Sequence, residues 1–262
     1  MVIKPQSKHL VIIDALNLIR RLFAVQQQRA ASASLSLATE RALKSACKRL
    51  TSSLQPSHII AVFDGEHCAW REQIAPEYKK NRSAMPSELA EQLEPLKDLL
   101  LDIGIDSISA PEHEADDICA TLATKAASAN YPVTIVSTDR GYYSLLNQGV
   151  HLYDYFRREY ITVTEVEEKL GIKLAQLNDY WALVGNSSVN VAGVTGIGAK
   201  SAQTLLKQYP NAQAILAEPQ PQKLAKKVQN NSQQLQQAQQ LLKLKTDLKL
   251  GFTLKQLRYQ QN

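Results

Sequence analysis

The sequence predicts an α/β fold in which a mainly parallel sheet carries helices on both faces. Four short apolar runs rich in β-branched residues alternate with longer segments whose apolar residues recur at helical spacing. This alternation is typical of parallel sheets, whose strands are joined by crossover helices. Three of the four runs end in an aspartate. The carboxyl ends of parallel strands share one edge of the sheet, where open sheets of this kind bind ligands.

The composition is that of a globular protein with a basic surface. The 262 residues are 44% hydrophobic and 21% charged, with a net charge of +5, which is ordinary for a globular domain. No apolar run approaches the roughly 20 residues of a membrane span. The cysteines Cys47, Cys68 and Cys119 have no CxxC spacing. We therefore expect a cytoplasmic protein, by default a monomer, whose positive charge favours nucleic acid as a partner.

The first two predicted strands each end in an acidic residue. The run His9–Leu16 contains Asp14 near its carboxyl end, and Ser57–Asp64 closes with Asp64. Between them, Leu35–Leu54 has apolar residues at helical spacing and predicts an amphipathic helix.

A basic segment with aromatic residues, 65–86, follows the second strand. Basic side chains set among aromatic rings offer phosphate contacts and stacking surfaces for single-stranded nucleic acid. A solvated loop whose aromatic rings fold back on the core explains the segment equally well. The residues concerned are Arg71, Lys79, Lys80 and Arg82, with Trp70 and Tyr78.

An acidic cluster, His113–Asp117, lies between the third strand and the next helix. Ser87–Leu101 predicts a helix, Ile105–Ala110 the third strand and Val133–Asp139 the fourth, while the cluster itself opens a helix that runs to about Ala129. Acidic residues suit the first turn of a helix without any ligand. Crowded carboxylates nevertheless cost stability unless a cation offsets them, and Mg²⁺ prefers such oxygen ligands beside a phosphate. Because six carboxylates converge on one edge, we favour a metal site made of Asp14, Asp64, Glu114, Asp116, Asp117 and Asp139.

The rest of the chain is predicted to be largely helical after one β-hairpin. Val150–Thr162 predicts a hairpin with an Arg-Arg turn, and 164–183 predicts two helices. A glycine-rich turn, Gly196–Ser201, opens an amphipathic helix; it fails the P-loop pattern because Ala199 precedes the lysine. The turn can present backbone N–H groups to a phosphate, or its glycines can simply end a helix. The segment 211–262, rich in Gln, Lys and Leu, is expected to pack as helices and to end in a basic tail.

Seven motifs, which occur in family order and cover most of the chain, resemble the bacterial 5′ nuclease superfamily. This superfamily includes flap endonucleases and the 5′-nuclease domain of DNA polymerase I, and the resemblance is closest to its short stand-alone members. The motifs are VIIDALNLIRR, AVFDGE, APEYKKNRSAMP, HEADD, TIVSTDRGYYSLL, LNDYWALVGNSS and GVTGIGAKSA. The resemblance implies a Rossmann-like (PIN-like) sheet within a catalytic region 1–163, a helical arch at about 65–86, and a helical C-terminal region 164–262. A helix–three-turn–helix DNA-binding element would lie at about 182–207.

The resemblance also implies roles for individual residues. One or two Mg²⁺ ions would be held by the six carboxylates, directly or through water, with Asp116 the strongest candidate. Tyr78, Lys79 and Arg82 would handle the displaced strand and the scissile phosphate. A K⁺ ion would be held by main-chain oxygens of Leu183, Val184, Ala192, Val194 and Ile197. The DNA backbone would contact Gly196, Ile197, Gly198, Ala199, Lys200 and Ser201.

Two departures from the family pattern bear on activity. Asp139-Arg140-Gly141 stands where most relatives have D-x-D, and 185–189 reads GNSSV where they have G-D-x-x-D. Three carboxylates of a second metal site are therefore absent. We expect a Mg²⁺-dependent flap endonuclease that hydrolyses phosphodiester bonds at 5′ flaps or junctions of DNA. The alternatives are a flap-binding module with weak or no catalysis and an RNA-processing nuclease of PIN-like fold.

Overall fold

The structure, a computed structural model, describes residues 8–29, 35–81 and 83–259. These residues form two compact units that interleave along the chain. The α/β unit draws its described residues from Met1–His67, Ala84–Ile161 and Lys245–Asn262, and the helical unit from Cys68–Ser83 and Thr162–Leu244.

The described residues contain eight strands and twelve α-helices. The strands are β1 (Leu10–Asp14), β2 (His58–Val62), β3 (Ser107–Ile108), β4 (Val133–Val136), β5 (Val150–Asp154), β6 (Glu159–Ile161), β7 (Gly185–Asn186) and β8 (Val191–Ala192). The helices are α1 (Ala15–Gln27), α2 (Leu35–Leu54), α3 (Ala69–Ile74), α4 (Ser87–Ala90), α5 (Leu93–Asp102), α6 (Ala115–Ser128), α7 (Val163–Leu170), α8 (Leu177–Val184), α9 (Ala199–Gln208), α10 (Ala212–Ala217), α11 (Lys223–Asn230) and α12 (Ser232–Leu242).

The α/β unit is built on one six-stranded sheet with the order β3-β2-β1-β4-β5-β6. Strands β1 to β5 pair in parallel, and β6 returns antiparallel to β5 as the predicted hairpin. The predicted α/β class with a mostly parallel sheet is confirmed.

Both faces of the sheet are covered by helices, as predicted. Val11 and Ile13 lie in one core with side chains of α1, α2 and α5. Leu10 and Ile12 alternate with them and are fully buried, so they lie on the opposite face. Helix α6 packs against β1 and β4 there. Burial on both faces explains why these strands are continuous apolar runs rather than alternating ones.

Three elements differ from the prediction. The first strand ends at Asp14, and the chain continues directly into α1, a helix that was not predicted from the sequence. The predicted helix 87–101 is divided into α4 and α5, and the third strand is only two residues long. Asp14 explains the first difference, because its carboxylate accepts a hydrogen bond from the N–H of Asn17 (3.3 Å) and caps α1.

The last described segment, Lys245–Tyr259, folds onto the α/β unit. The N–H of Lys245 donates to Asp117 (2.9 Å), and Nζ of Lys125 donates to the carbonyl of Leu248 (2.7 Å). Tyr259 N–H donates to Ser57 O (3.0 Å). The expectation that 211–262 packs as helices is therefore wrong for the described residues beyond Leu242, which contain no α-helix and one 3₁₀ turn at Leu254–Leu257.

The helical unit places α8 between α9 and α12. Side-chain amides complete the ends of its helices: Gln176, which is 8% exposed, donates to the carbonyls of Leu206 (2.7 Å), Pro210 (3.1 Å) and Tyr209 (3.3 Å). These are carbonyls at the end of α9 that have no partner within the helix. Across the described residues, no helix has the length and hydropathy that crossing a membrane requires.

Replacing Gln176 tests this arrangement. Gln176→Ala leaves buried carbonyls at the end of α9 without a donor, and we expect a loss of about 2 kcal/mol in the free energy of unfolding. Gln236→Ala, at an exposed position of α12, is the matched control and should change it by less than about 0.5 kcal/mol. Urea unfolding measures both, and equal effects would contradict the assigned role of Gln176.

Candidate metal centre and nucleic-acid interface

The carboxyl ends of β1 and β4 form the switch point of the sheet. The chain leaves β1 toward β2 and β3 on one side and later returns to β4 on the other. A crevice opens at such a reversal, and ligands bind there in open α/β sheets. Asp14 is the last residue of β1, and Ser137–Asp139 directly follow β4.

Side-chain hydrogen bonds join these two strand ends. Ser137 Oγ–H donates to Oδ2 of Asp14 (2.8 Å), and its oxygen accepts from the N–H of Asp139 (3.0 Å). Oδ1 of Asn17 accepts from both the N–H and the hydroxyl of Thr138 (3.1 and 3.0 Å). The start of α1 and the loop after β4 are thus fixed to each other.

Asp14 is held in conditions that oppose its ionisation. It is 5% exposed, and burial raises its pKa to about 7, with further contributions from the charges of Asp64 and Asp139. The hydrogen bond from Ser137 acts in the opposite direction. A cation beside these oxygens would remove the repulsion and favour the ionised form.

Asp64 is placed by the loop that precedes α6. Its Oδ1 accepts a hydrogen bond from the N–H of Ala115 (2.9 Å). Asp64 thus provides an acceptor for a backbone N–H in the first turn of α6, where negative charge is favourable. Gly65 allows this approach. Its N–H donates to His113 O (2.9 Å), and a Cβ at Gly65 would lie 2.0 Å from the carbonyl oxygen of Ala110.

Asp116 faces the same centre from α6. The hydroxyl of the buried Tyr142 donates to its Oδ1 (3.0 Å). Burial, followed by the charges of Asp116 and Asp14, raises the pKa of Tyr142 well above its usual range. Burial, then Asp14, Asp116 and Asp64, similarly raises the pKa of Cys119. Asp14 and Asp116 therefore act on both buried groups, and Asp64 acts on Cys119.

The other three predicted ligands are placed differently. Asp139 is exposed; its Oδ1 accepts from the N–H of Gly141 (2.7 Å), while its charge still acts on Asp14. Glu114 and Asp117 are buried one turn apart, with carboxylate oxygens within 4.8 Å of one another. Asp117 is fully buried and accepts from Lys245 N–H. Asp14, Asp64, Asp116 and Asp139 form one group, and Glu114 and Asp117 form a neighbouring pair at the amino end of α6.

Three contributors to this centre were missed by sequence reasoning. The hydroxyls of Ser137 and Tyr142 donate to Asp14 and Asp116, and the backbone N–H of Asn17 donates to Asp14. The hydroxyls of the run STD after β4 were a signal for Ser137, because a hydroxyl beside a strand-end aspartate can reach a neighbouring strand. No sequence pattern links Tyr142 to Asp116.

In the helical unit, the basic and aromatic segment is partly a structural element. Arg71 is 2% exposed; its Nε donates to Leu241 O (2.9 Å) and Nη2 to Lys243 O (3.3 Å), at the end of α12. Its guanidinium lies 4.3 Å from the ring centre of Trp70. The suggestion that Arg71 offers a phosphate contact is therefore wrong, because its donors and its charge serve the carboxyl end of a helix.

The predicted phosphate-handling residues of this segment are Tyr78, Lys79 and Arg82. Tyr78 is only 9% exposed, and Lys79 Nζ lies 5.6 Å from its ring centre. This position favours support of the lysine over stacking with DNA. Lys79 has φ +55° and donates its N–H to Val189 O (3.0 Å). This left-handed backbone is a strained conformation that is common at functional sites. Arg82 lies outside the described residues.

The turn between α8 and α9 brings two backbone segments into close contact. A Cβ at Gly193 would lie 2.3 Å from the carbonyl carbon of Val184, and Gly185 has φ +85°. The N–H of Val194 donates to Leu183 O (2.9 Å), and that of Ile197 to Val194 O (3.0 Å). Nε2 of Gln234 donates a hydrogen bond to the carbonyl oxygen of Gly193 (2.8 Å). The five carbonyls proposed for K⁺, those of Leu183, Val184, Ala192, Val194 and Ile197, belong to this compact turn.

The turn then presents the amino end of α9 to solvent. Gly196, Gly198, Ala199 and Lys200 are exposed, whereas Ile197 is buried and Ser201 is half-buried. Gly198, the cap residue, has no side chain to satisfy the first N–H groups of α9. Such an end binds anions. Lys227 is a further basic residue here, since its Nζ lies 3.0 Å from where a Cβ of Gly196 would be.

The donors at the switch point fit a hard divalent cation. They are carboxylate oxygens, the ligands such ions prefer. Burial raises the pKa of Asp14 to about 7, and the charges of Asp64 and Asp139 act on it in the same direction. Burial, followed by the charges of Asp14, Asp116 and Asp64, raises the pKa of the Cys119 thiol and so disfavours its thiolate form.

Comparison with known proteins identifies the family. A family described as "5′-3′ exonuclease, N-terminal resolvase-like domain" matches residues 9–171, and one described as "5′-3′ exonuclease, C-terminal SAM fold" matches residues 172–262. The chain belongs to the 5′-3′ exonuclease family. The switch-point carboxylates thus lie in the N-terminal domain of a 5′-3′ exonuclease, and the turn before α9 lies in its C-terminal domain.

Curated relatives in the 5′-3′ exonuclease family match nearly end to end. Flap endonuclease Xni of Psychromonas ingrahamii is 46% identical over 253 residues, which cover 95% of this chain and 97% of the relative. Flap endonuclease Xni of Aeromonas hydrophila is 43% identical over 255 residues, covering 96% of each. The predicted resemblance to the short stand-alone members is confirmed.

Solved structures share the fold. The 5′-exonuclease of bacteriophage T5 with bound zinc has a TM-score of 0.72 and 26% identity, covering 90% of this chain and 89% of that chain. A flap endonuclease from the same phage, solved with DNA and metal ions, has a TM-score of 0.73 at 24% identity.

The metal-free stability should depend on Asp14 and on pH. The folded pKa of about 7 exceeds the ordinary value of 3.8, so the folded state binds more protons and loses stability as pH rises between these values. In EDTA at pH 8, Asp14→Asn should therefore raise the free energy of unfolding by about 2 kcal/mol. The gain should shrink toward pH 4. Asp102→Asn, at an exposed position, is the control. A gain independent of pH would contradict the raised pKa.

Proposed function

We propose that this chain is a Mg²⁺-dependent, structure-selective 5′ nuclease that hydrolyses phosphodiester bonds at 5′ flaps or junctions of DNA. The observation that carries the proposal is the convergence of Asp14, Asp64 and Asp116 at the switch point. Curated relatives 43% and 46% identical along nearly the whole chain are named flap endonucleases, and this supports the reaction class and the DNA substrate.

Asp14, Asp64 and Asp116 would hold the metal, with Asp139, Glu114 and Asp117 contributing directly or through water. A bound divalent cation supplies Lewis-acid stabilisation of the phosphoryl group and makes water a better nucleophile. The chain's own part is to hold the acids in place. Tyr142 donates to one oxygen of Asp116, Ser137 to one oxygen of Asp14, and Ala115 N–H to one oxygen of Asp64. Each bond fixes a carboxylate before substrate arrives, so little reorganisation is needed.

The helical unit would bind the DNA. Lys79 and Arg82 would neutralise the phosphate under attack, with Tyr78 beneath Lys79. The exposed N–H groups at Gly196–Ser201, with Lys200, would contact duplex backbone without reading bases. A K⁺ ion on the carbonyls of Leu183, Val184, Ala192, Val194 and Ile197 would link this turn to a phosphate.

The missing second-site acids limit how another ion could bind. The loop 187–190 carries no carboxylate; instead it is bonded to the segment 77–81, with Lys79 N–H on Val189 O (3.0 Å) and Asn190 Nδ2 on Glu77 O (2.7 Å). A second Mg²⁺ would therefore share the switch-point acids or enter with the phosphate. The buried free cysteines suit a reducing compartment, and we propose a cytoplasmic monomer with the residues of the N-terminal region, 1–163, performing the chemistry.

Asp116→Asn tests the catalytic assignment. Removing one ionised ligand should lower cleavage of a 5′-flap duplex in Mg²⁺ by at least about a hundredfold, because charge stabilisation is the largest catalytic contribution. Tyr142→Phe keeps the Asp116 carboxylate but removes the hydrogen bond to its Oδ1, and should cost about tenfold. Single-turnover assays on labelled flap DNA measure both. Tight flap binding by the wild-type protein without product, in Mg²⁺ or Mn²⁺, would instead show a binding module without catalysis.

Salt dependence tests the duplex-binding turn. Lys200→Gln should weaken binding to duplex DNA and reduce the slope of log affinity against log salt by about one, since one phosphate contact is lost. Lys169→Gln removes another exposed lysine of the helical unit and should leave the slope unchanged. Anisotropy titrations at several KCl concentrations provide the slopes, and identical slopes for both variants would exclude Lys200 as a specific contact.

A further inference from the structure

A cluster of arginines and aromatic rings lies at the tip of the β5–β6 hairpin in the α/β unit. We define the arginine surface as Arg21, Arg49 and Arg158 with Tyr155 and Phe156. The arginines come from α1, α2 and the hairpin turn, so three distant parts of the chain meet here.

Cation–π and ring–ring contacts connect the members of this surface. The guanidinium of Arg21 lies 4.5 Å from the ring centre of Phe156, and that of Arg49 lies 5.8 Å from the ring centre of Tyr155. The two rings pack edge to face, with centroids 5.2 Å apart. The charges of Arg158 and Arg49 both lower the pKa of Tyr153, against the larger effect of burial that raises it. Arg21, Phe156, Tyr155 and Arg49 are thus linked by direct contacts, and Arg158 follows the two rings in the hairpin turn.

The arginines of this surface lack acidic partners. Within the described ranges, Arg21, Arg49 and Arg158 form no ion pair with a carboxylate, whereas the adjacent Arg157 donates to Glu159 (3.0 Å). All three are exposed. Like charges held together without an anion are unfavourable, so the surface is complementary to a polyanion. Arg21 is exposed although its guanidinium lies over the Phe156 ring, so part of this side chain is accessible to solvent.

The surface adjoins the switch-point carboxylates. Tyr155 and Phe156 line a shallow depression together with Asn17, Ser137 and Thr138. Ser137 donates to Asp14, and Asn17 accepts from Thr138. A nucleic-acid strand on the arginine surface therefore lies next to the residues that would hold the metal.

We propose that the arginine surface binds the single-stranded arm of the DNA substrate. Guanidinium planes stacked on aromatic rings suit unpaired bases, because each base offers a π-face, while the N–H groups contact phosphates. Duplex DNA keeps its bases stacked on one another and presents mainly backbone. The inference rests on the proposed function, and it adds the part of the substrate that this surface would hold.

Oligothymidine binding tests the surface apart from catalysis. The full-length protein is titrated in EDTA with fluorescent single-stranded oligothymidine, and with a duplex of the same length, at several salt concentrations. Arg21→Gln should weaken single-strand binding about tenfold and reduce the salt slope by about 0.7. Arg21→Lys keeps the charge and should retain the slope while losing affinity, because the planar stack is gone. Phe156→Leu should likewise weaken binding about fivefold without changing the slope.

Arg41→Gln is the matched control. Arg41 is an exposed arginine of α2, and this substitution removes the same charge at a position outside the arginine surface. Thermal unfolding confirms that each variant is folded. The inference would be overturned if Arg21→Gln and Arg41→Gln lost equal affinity for oligothymidine. It would also be overturned if Arg21→Gln weakened duplex binding as much as single-strand binding. Flap cleavage by the wild-type protein in Mg²⁺ tests the proposed function separately. If the wild-type protein cleaves flaps and the variants bind oligothymidine as the wild type does, the proposed role of the arginine surface is rejected and the proposed nuclease function is not.

Discussion

The mutual repulsion of carboxylates at the switch point is the constraint that the α/β unit is built to sustain. Asp14 is the last residue of β1 and Asp116 lies in α6. Asp64 lies in the loop after β2, where the N–H of Ala115 at the start of α6 holds its carboxylate. Folding energy from the two apolar faces of the sheet holds these charges near one another. The carboxylates are therefore preorganised, and a cation can bind without rearrangement of the site.

Donors from neighbouring segments moderate this repulsion. The hydroxyl of Ser137 and the N–H of Asn17 donate to Asp14, and the N–H of Ala115 donates to Asp64 at the amino end of α6. Gly65 makes the last contact sterically possible. These neutral donors leave net negative charge at the centre, which is what binding of a divalent ion requires.

The sheet and the identity of its edge acids were predictable because period and position are local properties of sequence. Asp14 and Asp64 end apolar runs, and parallel strands place such ends together. The partners were not predictable, because Ser137 reaches Asp14 only through the pairing of β1 with β4, 123 residues apart. Arg71 shows the same limit: its charge suggested a phosphate, but the neighbouring end of α12 decides its role. Helix α1 had a usable signal, since Leu18, Leu22 and Phe23 continue at helical spacing after Asp14.

The return of Lys245–Tyr259 to the α/β unit sets an order of events during synthesis. Domains fold as the ribosome releases them, yet Asp117 on α6 receives the N–H of Lys245 only after the whole stretch Thr162–Leu244 has been translated. Until then a fully buried carboxylate on the helix that carries Asp116 has no such donor. The nascent nuclease therefore completes the environment of α6 late, after the helices of the second unit have emerged.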